Sequence, residues 1–222
     1  TLVNTGAITV DAAPAATGSG GTALLVASFD NPQSTAQISG TISARGSARG
    51  GDGGFVETSA ARVEIDDGFR VDTLAPQGKT GQWLLDPVDI TIAASGGNVT
   101  GAAIATALAT TDVTLDTAGA GTCSGVACGG LGGTNGDITI NDNITVTGGS
   151  ADTTLTLKAA GDIVMNAGKT IDASGNGSSS EPWALDNLMR PLATMTPPSA
   201  EVAGTARSEV TLSVPEDSVA RR

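Results

Sequence analysis

Residues 136–173, GDITINDNITVTGGSADTTLTLKAAGDIVMNAGKTIDA, are the stretch that decides the fold. Ile, Val and Leu alternate here with Thr, Asp and Lys over very short segments, and Gly, Asn, Asp or Ser separate these segments. A period of two places the apolar side chains on one face of a strand and the polar side chains on the other. The stretch therefore predicts a series of short strands, each buried on one side.

The same stretch contains a weak internal repeat. Gly136-Asp-Ile and Gly161-Asp-Ile begin equivalent strands 25 residues apart, and a second short strand follows each of them. Repeats of roughly 20–50 residues indicate solenoids, in which each small apolar face is covered by the neighbouring units. A sandwich would need longer strands and aromatic anchors, but the chain has only three Phe, two Trp and no Tyr. We therefore expect an all-β solenoid of about seven rungs, each of roughly 20–25 residues.

Similar alternating segments occur earlier in the chain, and one segment departs from the pattern. Residues 99–111 are rich in Ala, and Ile104 and Leu108 lie four residues apart. This spacing predicts one short helix, for which Thr100 is the candidate N-cap. The alternating segments lie at 6–11, 36–43, 61–65, 88–92 and 112–116.

Composition divides the chain near residue 178. Residues 1–177 hold 30 of the 31 glycines, whereas residues 178–222 hold five of the nine prolines. Alternation returns after residue 178 only at 209–214. The prediction is a β-helical body over 1–177 and a poorly ordered or loosely attached tail over 178–222.

Charge and residue usage exclude several classes of function. The 222-residue chain has a net charge of −12, which disfavours nucleic acid because phosphate contacts require Lys and Arg. It contains no His, so Ser-His-Asp and Cys-His catalysis are excluded within this chain and the commonest metal ligand is missing. No run of 18 apolar residues is present, so no membrane-spanning helix is expected. We predict no catalytic residue, no metal and no cofactor.

A glycine-rich segment precedes a strand at residues 50–65, GGDGGFVETSAARVEI. A phosphate-binding loop would need Gly-Lys-Ser/Thr at the start of a helix, whereas Phe55 begins a strand. Gly53 and Gly54 are therefore predicted to form a structural corner. Phe55 and Trp83 are expected to be packing anchors, with ligand stacking as the alternative.

Two segments carry a resemblance to a known family. GGDGGFVETS at 50–59 and VDTLAPQGKTGQWLLDPVDITI at 71–92 resemble the filamentous haemagglutinin-type exoproteins, which Gram-negative bacteria export by two-partner secretion. This family includes large adhesins and haem–haemopexin-binding proteins. The resemblance extends over roughly residues 1–177, and because family members are usually far longer, the chain is interpreted as a fragment.

The resemblance implies both a fold and a role. The fold is a right-handed parallel β-helix, and the location is secreted or on the bacterial cell surface. The role is adhesion or host-factor binding rather than catalysis. The expected partners are an outer-membrane barrel transporter and a host surface glycan or protein. Two alternatives stay open: a β-helical polysaccharide-active enzyme using paired Asp residues, and a non-binding stalk of a longer toxin or adhesin.

Acidic residues recur between positions 66 and 89. Asp66, Asp67, Asp86 and Asp89 could serve glycoside hydrolysis or hold Ca²⁺. A series of solvated acids is the simpler interpretation, and Asp86 before Pro87 is expected to form a turn through its side chain.

Two cysteines and three asparagines suggest covalent modification. Cys123 and Cys128 are predicted to form a small-loop disulfide, with two free thiols as the alternative. Their loop, 119–136, is also a candidate partner-facing element. Asn98-Val-Thr, Asn143-Ile-Thr and Asn176-Gly-Ser have the form of glycosylation acceptors, a form that a Thr-rich chain also produces by chance.

Overall fold

A computed structural model describes residues 1–29, 31–118, 136–173 and 208–214. These residues form a β-solenoid of about five turns, with stacked parallel sheets and one short helix. The predicted all-β solenoid is confirmed.

Each turn of the solenoid, here called a coil, contributes three short elements. The first coil contains β1 (Leu2–Asn4), β2 (Ala7–Thr9) and β3 (Thr22–Val26), and the second contains β4 (Thr35–Ile38), β5 (Thr41–Ser43) and β6 (Phe55–Ser59). The third contains β7 (Arg62–Ile65), β8 (Arg70–Asp72) and β9 (Gln82–Asp86), and the fourth contains β10 (Ile90–Ile92), α1 (Gly101–Ala107) and β11 (Asp112–Asp116). The fifth contains β12 (Ile138–Ile140), β13 (Ile144–Thr145) and β14 (Thr153–Ala159), and a sixth begins with β15 (Ile163–Met165) and β16 (Ile171–Asp172).

Stacking the coils produces three faces. Face 1 carries the first element of each coil, and its strands form two sheets, β1-β4-β7 and β10-β12-β15. Face 2 carries the second element, with sheets β2-β5-β8 and β13-β16. Face 3 carries the third element in one continuous parallel sheet, β3-β6-β9-β11-β14. One face is therefore unbroken, and two faces are interrupted at the fourth coil.

The interior is a narrow column of aliphatic side chains. Burial alternates along the strands, as the period-two pattern predicts; in β14 every second residue from Thr153 to Ala159 is buried. Register places like residues above one another, for example Ile90, Ile138 and Ile163 in successive coils. Each layer therefore removes the apolar face of the next from water, which is the main stabilising contribution available to strands this short.

The length of a coil differs from the prediction. Paired residues on face 3 are 33, 27, 30 and 42 positions apart from one strand to the next, so about five turns form rather than seven rungs of 20–25 residues. The prediction was wrong because loops between strands, and the helix, lengthen most coils. Only the repeat at Gly136 and Gly161 has the predicted spacing, since Ile138 pairs with Ile163.

One predicted strand is divided between two faces. Residues 36–43 form β4 and β5, separated by a corner at Ser39 and Gly40. Gly40 has φ +81°, and a Cβ there would lie 2.3 Å from the carbonyl oxygen of Gly6 in the coil below. Only glycine fits this corner, so alternation continues along the chain while the backbone changes direction.

The predicted helix is confirmed and occupies a position on face 2. It spans Gly101–Ala107, and the hydroxyl of its N-cap, Thr100, accepts a hydrogen bond from the amide of Ala103 at 3.1 Å. Helix α1 contacts both β8 and β13, so it stands where a strand of the fourth coil would otherwise lie. A helix is roughly twice as wide as the spacing between strands, which separates β8 from β13 and interrupts face 2.

The structure describes one part of the predicted tail. Strand β17 (Ser208–Val214) pairs antiparallel with β14 over seven residues and extends face 3. Leu212 is buried there, and Glu209 lies opposite Lys158 in the register. The other residues after 173 lie outside the described part of the chain.

Candidate functional site

The glycines before β6 lie where three coils approach one another closely. A Cβ on Gly53 would lie 1.9 Å from the carbonyl oxygen of Thr73, and one on Gly54 would lie 2.0 Å from that of Gly21. Neither glycine has a positive φ, whereas Gly50 and Gly51 have φ +126° and +121°. The segment therefore uses glycine for two reasons: unusual backbone angles at 50–51 and close approach of backbones at 53–54.

The two named aromatic residues have different environments. Trp83 is fully buried, and its indole Nε1 donates a hydrogen bond to Thr58 Oγ1 at 3.0 Å. Its ring packs against Phe69, with ring centroids 5.2 Å apart. Phe55 lies half-buried on the outer side of β6. The core aromatic pair is therefore Phe69 with Trp83, a partnership that nothing in the local sequence around Phe69 indicated.

The candidate acids do not converge on one point. Asp66 Oδ1 accepts from the amide of Gly68 at 2.7 Å, and Asp67 Oδ1 accepts from the hydroxyl of Thr100 at 2.8 Å. Asp86 ends β9 and is 8% exposed, and Pro87 after it is buried. Among the residues that the structure describes, no three acids or cysteines are grouped so that they could hold a metal ion.

Asp89 belongs to a ladder of carboxylates along the start of face 1. Its Oδ1 accepts from the amides of Gly136 and Asp137, at 2.9 Å and 3.1 Å, in the next coil. Asp137 Oδ1 in turn accepts from the amide of Asp162 at 2.8 Å. Each Asp thus joins the corner of one coil to the corner of the next, which explains why Asp precedes Ile in VDITI and GDITI.

Asp112 at the start of β11 is a half-buried acid with a clearly shifted pKa. Burial raises the pKa of its carboxyl above the usual 3.8, and the hydrogen bond that Oδ1 accepts from the amide of Thr154 opposes this effect. Because burial is the larger cause, Asp112 loses its proton at a higher pH in the folded chain than in the unfolded chain.

A cleft opens where face 1 is interrupted, between β7 and β10. Asn98 bridges the gap: its Nδ2 donates to the carbonyl oxygen of Val63 at 2.9 Å, and its Oδ1 accepts from the amide of Thr91 at 2.7 Å. Its backbone also bonds on both sides, to Ile65 and to Thr91. The amide that a glycosylation triplet would modify is therefore bonded within the fold.

The cleft has a volume of about 330 Å³ and opens to the outer surface. Backbone of Gly96 and Gly97 lines one part of it. The remaining lining is mostly polar, and its polar side chains are Arg62, Asp89, Thr91, Asn98, Asp137 and Thr139. The cleft is a candidate binding site because it gathers charged and hydroxyl side chains from three coils.

Sequence reasoning named Asp89 and Asn98 but did not place them together. Arg62, Asp137 and Thr139 lie in predicted alternating segments, but local periodicity does not bring them together. The pair Gly96–Gly97, directly after an alternating segment, was the one local signal of an irregular backbone there. Cys123 and Cys128 lie outside the described residues, so their predicted disulfide stays a prediction. No described helix is long and apolar enough to cross a membrane.

Comparison with known protein families and with curated protein sequences gives no match to this chain.

Proposed function

We propose that this chain is a segment of a secreted or surface-exposed β-helical exoprotein that acts in adhesion or host-factor binding. The observation that carries the proposal is the solenoid itself, in which stacked short strands form a column with three outer faces. Such a column displays side chains and loops along its length without rearrangement of the backbone. This matches what the resemblance at 50–59 and 71–92 implies.

The distribution of acids favours binding over catalysis. A polysaccharide-active site needs two carboxylates facing each other across the scissile bond. Asp66, Asp67 and Asp89 each accept hydrogen bonds from groups within the fold. These bonds stabilise turns and corners, so we assign the candidate acids a structural role and propose no catalytic residue.

Export to the bacterial surface by an outer-membrane barrel transporter is part of the same proposal. A rigid column suits an exposed location, because its backbone hydrogen bonds lie within sheets and leave few extended segments for proteases. The host partner would be a surface glycan or a protein.

Binding of the purified full chain to host cells tests the proposal. Fluorescently labelled chain is applied to epithelial cells and to immobilised glycans and matrix proteins, with the heat-unfolded chain as control. Saturable binding of the folded chain alone is the expected result. Absence of binding to every surface would contradict the proposal and favour the non-binding stalk. Release of reducing ends from a polysaccharide panel would favour the enzyme.

A further inference from the structure

We propose that the cleft between β7 and β10 binds a neutral sugar, such as the terminal residue of a glycan. This inference deepens the proposed binding role and rests on it for its biological meaning. Binding of a sugar to the cleft can be measured in solution, separately from binding of the chain to cells.

Gly96 and Gly97 line the cleft in different ways. A Cβ on Gly96 would meet no atom within 4 Å, and Gly96 has φ +71°. At Gly97 a Cβ would lie 2.5 Å from the carbonyl oxygen of Thr91, so the backbone itself closes that side. Any side chain at 96 would extend into open space beside the lining residues. The segment thus keeps a concave surface on an otherwise regular face.

Two charged side chains in the lining, Arg62 and Asp137, have polar atoms that bond to none of the described residues. Arg62 donates from Nε to Glu64 Oε1 at 2.8 Å, and its two Nη atoms bond to none of the described residues. The Oδ2 atom of Asp137 likewise bonds to none of the described residues, although Oδ1 accepts a hydrogen bond from the amide of Asp162. By contrast, Asp66 and Asp67 accept hydrogen bonds within the fold. The Nη atoms of Arg62 and Oδ2 of Asp137 are therefore candidate contacts for a ligand.

Two hydroxyls complete the set. Thr91 and Thr139 are partners in the parallel register of β10 and β12, and each lies between two buried Ile residues, so both point outward. Adjacent strands place them about 4.8 Å apart. Neither hydroxyl bonds to another residue in the described ranges. Hydroxyls at this spacing can contact neighbouring groups of one small ligand.

The chemistry of the lining selects the ligand class. A guanidinium only donates hydrogen bonds and a carboxylate only accepts them, so a ligand filling the cleft must offer both acceptors and donors at close spacing. Anions are disfavoured by Asp89 and Asp137 and by the net charge of −12. Simple cations are disfavoured by Arg62. Adjacent hydroxyls of a neutral sugar meet both requirements without a net charge.

Amide chemical-shift mapping on the full chain tests the inference. Methyl α-mannoside, methyl β-galactoside and N-acetylglucosamine are titrated separately to about 100 mM, with sialic acid and glucosamine as charged comparisons. A single sugar in an open cleft without an aromatic platform should bind at roughly 1 mM. We expect at least one neutral sugar to shift the amides of Thr91, Gly96, Gly97 and Thr139 selectively.

Two variants form a matched pair. Gly96→Asn places a side chain in the cleft, and Asn tolerates positive φ. Gly168→Asn introduces the same residue at a glycine with φ +77° and equally open surroundings, outside the cleft. Affinity for the sugar should fall at least tenfold in Gly96→Asn and stay unchanged in Gly168→Asn. A second pair, Thr139→Val against Thr156→Val on face 3, should show loss only for the first.

Three results would overturn the inference: no shift at the cleft with any neutral sugar, equal binding by Gly96→Asn, or preference for a charged probe. The cell-binding experiment distinguishes this failure from failure of the proposed function. If Gly96→Asn still binds cells as strongly as the parent chain, adhesion stands and the cleft is not its site. If sugar binds in the cleft but no cell surface is recognised, the cleft stands and the adhesive role falls.

Discussion

Face 3 and faces 1 and 2 show two ways to build the same column. Face 3 continues through β3, β6, β9, β11 and β14 without a gap, whereas face 1 is interrupted by Asn98 and face 2 by helix α1. Face 1 is interrupted between the third and fourth coils, and face 2 is interrupted at the fourth coil itself, where α1 lies between β8 and β13. The interruptions divide the column into two stacks, coils one to three and coils four to six. The sheet of face 3 runs continuously through both stacks, whereas faces 1 and 2 contain irregular segments where the stacks meet.

The continuous face and the interrupted face also contribute different things to the molecule: one contributes buried core residues, and the other an open surface cleft. Face 3 contributes Trp83 to the interior, and no described side chain that is fully buried is larger. The break in face 1 contributes the cleft, whose lining includes Arg62, Asp137 and Thr139. Substitutions in the continuous sheet should therefore affect folding most, and substitutions at the break should affect folding less.

The largest effect is expected for Trp83→Ala. The variant loses a fully buried side chain, its contact with Phe69 and the bond to Thr58, so the free energy of unfolding should fall by about 3–5 kcal/mol. Urea unfolding followed by circular dichroism measures it. Phe55→Ala, on the outer side of the same sheet, is the control and should cost about half as much or less. Equal losses would break the distinction between inner and outer aromatic residues.

A smaller loss is expected for Gly53→Ala. The new methyl group would lie 1.9 Å from the carbonyl oxygen of Thr73, so the backbone of one coil must move, at a cost of roughly 2–3 kcal/mol. Gly6→Ala, where a Cβ meets no atom within 4 Å, should change stability by about 0.5 kcal/mol or less. The same chemical denaturation measures both variants. A neutral Gly53→Ala would show that coils at this corner are free to separate.

Asn98→Ala examines how the two stacks are joined on face 1. Loss of the bonds to Val63 and Thr91 should lower the free energy of unfolding by about 1–3 kcal/mol, since both partners are backbone groups at the gap. Asn166→Ala removes an exposed bond between the side chains of Asn166 and Asn141 and should cost about 0.5 kcal/mol or less. Hydrogen exchange at Ile65 and Thr91 should accelerate in the first variant alone. If exchange there is unchanged, face 3 alone carries the connection.

The smallest effect is expected for Asp112→Asn, on face 3. The raised pKa means that the folded chain keeps a proton which the unfolded chain has lost, so this group lowers stability as pH rises from about 3.8 through the folded pKa. The Asn variant lacks this dependence and can still accept from the amide of Thr154. Its stability relative to the parent chain should therefore increase between pH 3 and pH 7.

Urea midpoints at pH 3 and pH 7 measure the effect at Asp112. Asp112→Ala serves as the control, because it removes the acceptor for Thr154 as well as the charge and should be less stable than the Asn variant at both pH values. A stability difference between Asn and Asp that does not change with pH would contradict the assignment.

Particular residues show how far sequence reasoning reached. Alternation in 136–173 predicted inward Ile138 and Leu155, the spacing of Gly136 and Gly161 predicted one turn, and Thr100 predicted the start of the helix; the structure confirms all three. These features depend on local periodicity and capping, which a single segment contains in full.

The contacts between coils depended on the register in which successive coils stack. The tertiary structure decides that Phe69 rather than Phe55 packs on Trp83, that Asn98 joins β7 to β10, and that Arg62, Asp137 and Thr139 line one cleft. The residues brought together lie from 14 positions apart, for Phe69 and Trp83, to 77 positions apart, for Arg62 and Thr139. The sequence by itself determined short one-sided strands, their turns and the helix, because these obey rules that act within a few residues. Only the tertiary structure decided the coil length, the breaks in two faces and the cleft, because loops of unequal length set which backbone and side-chain groups meet.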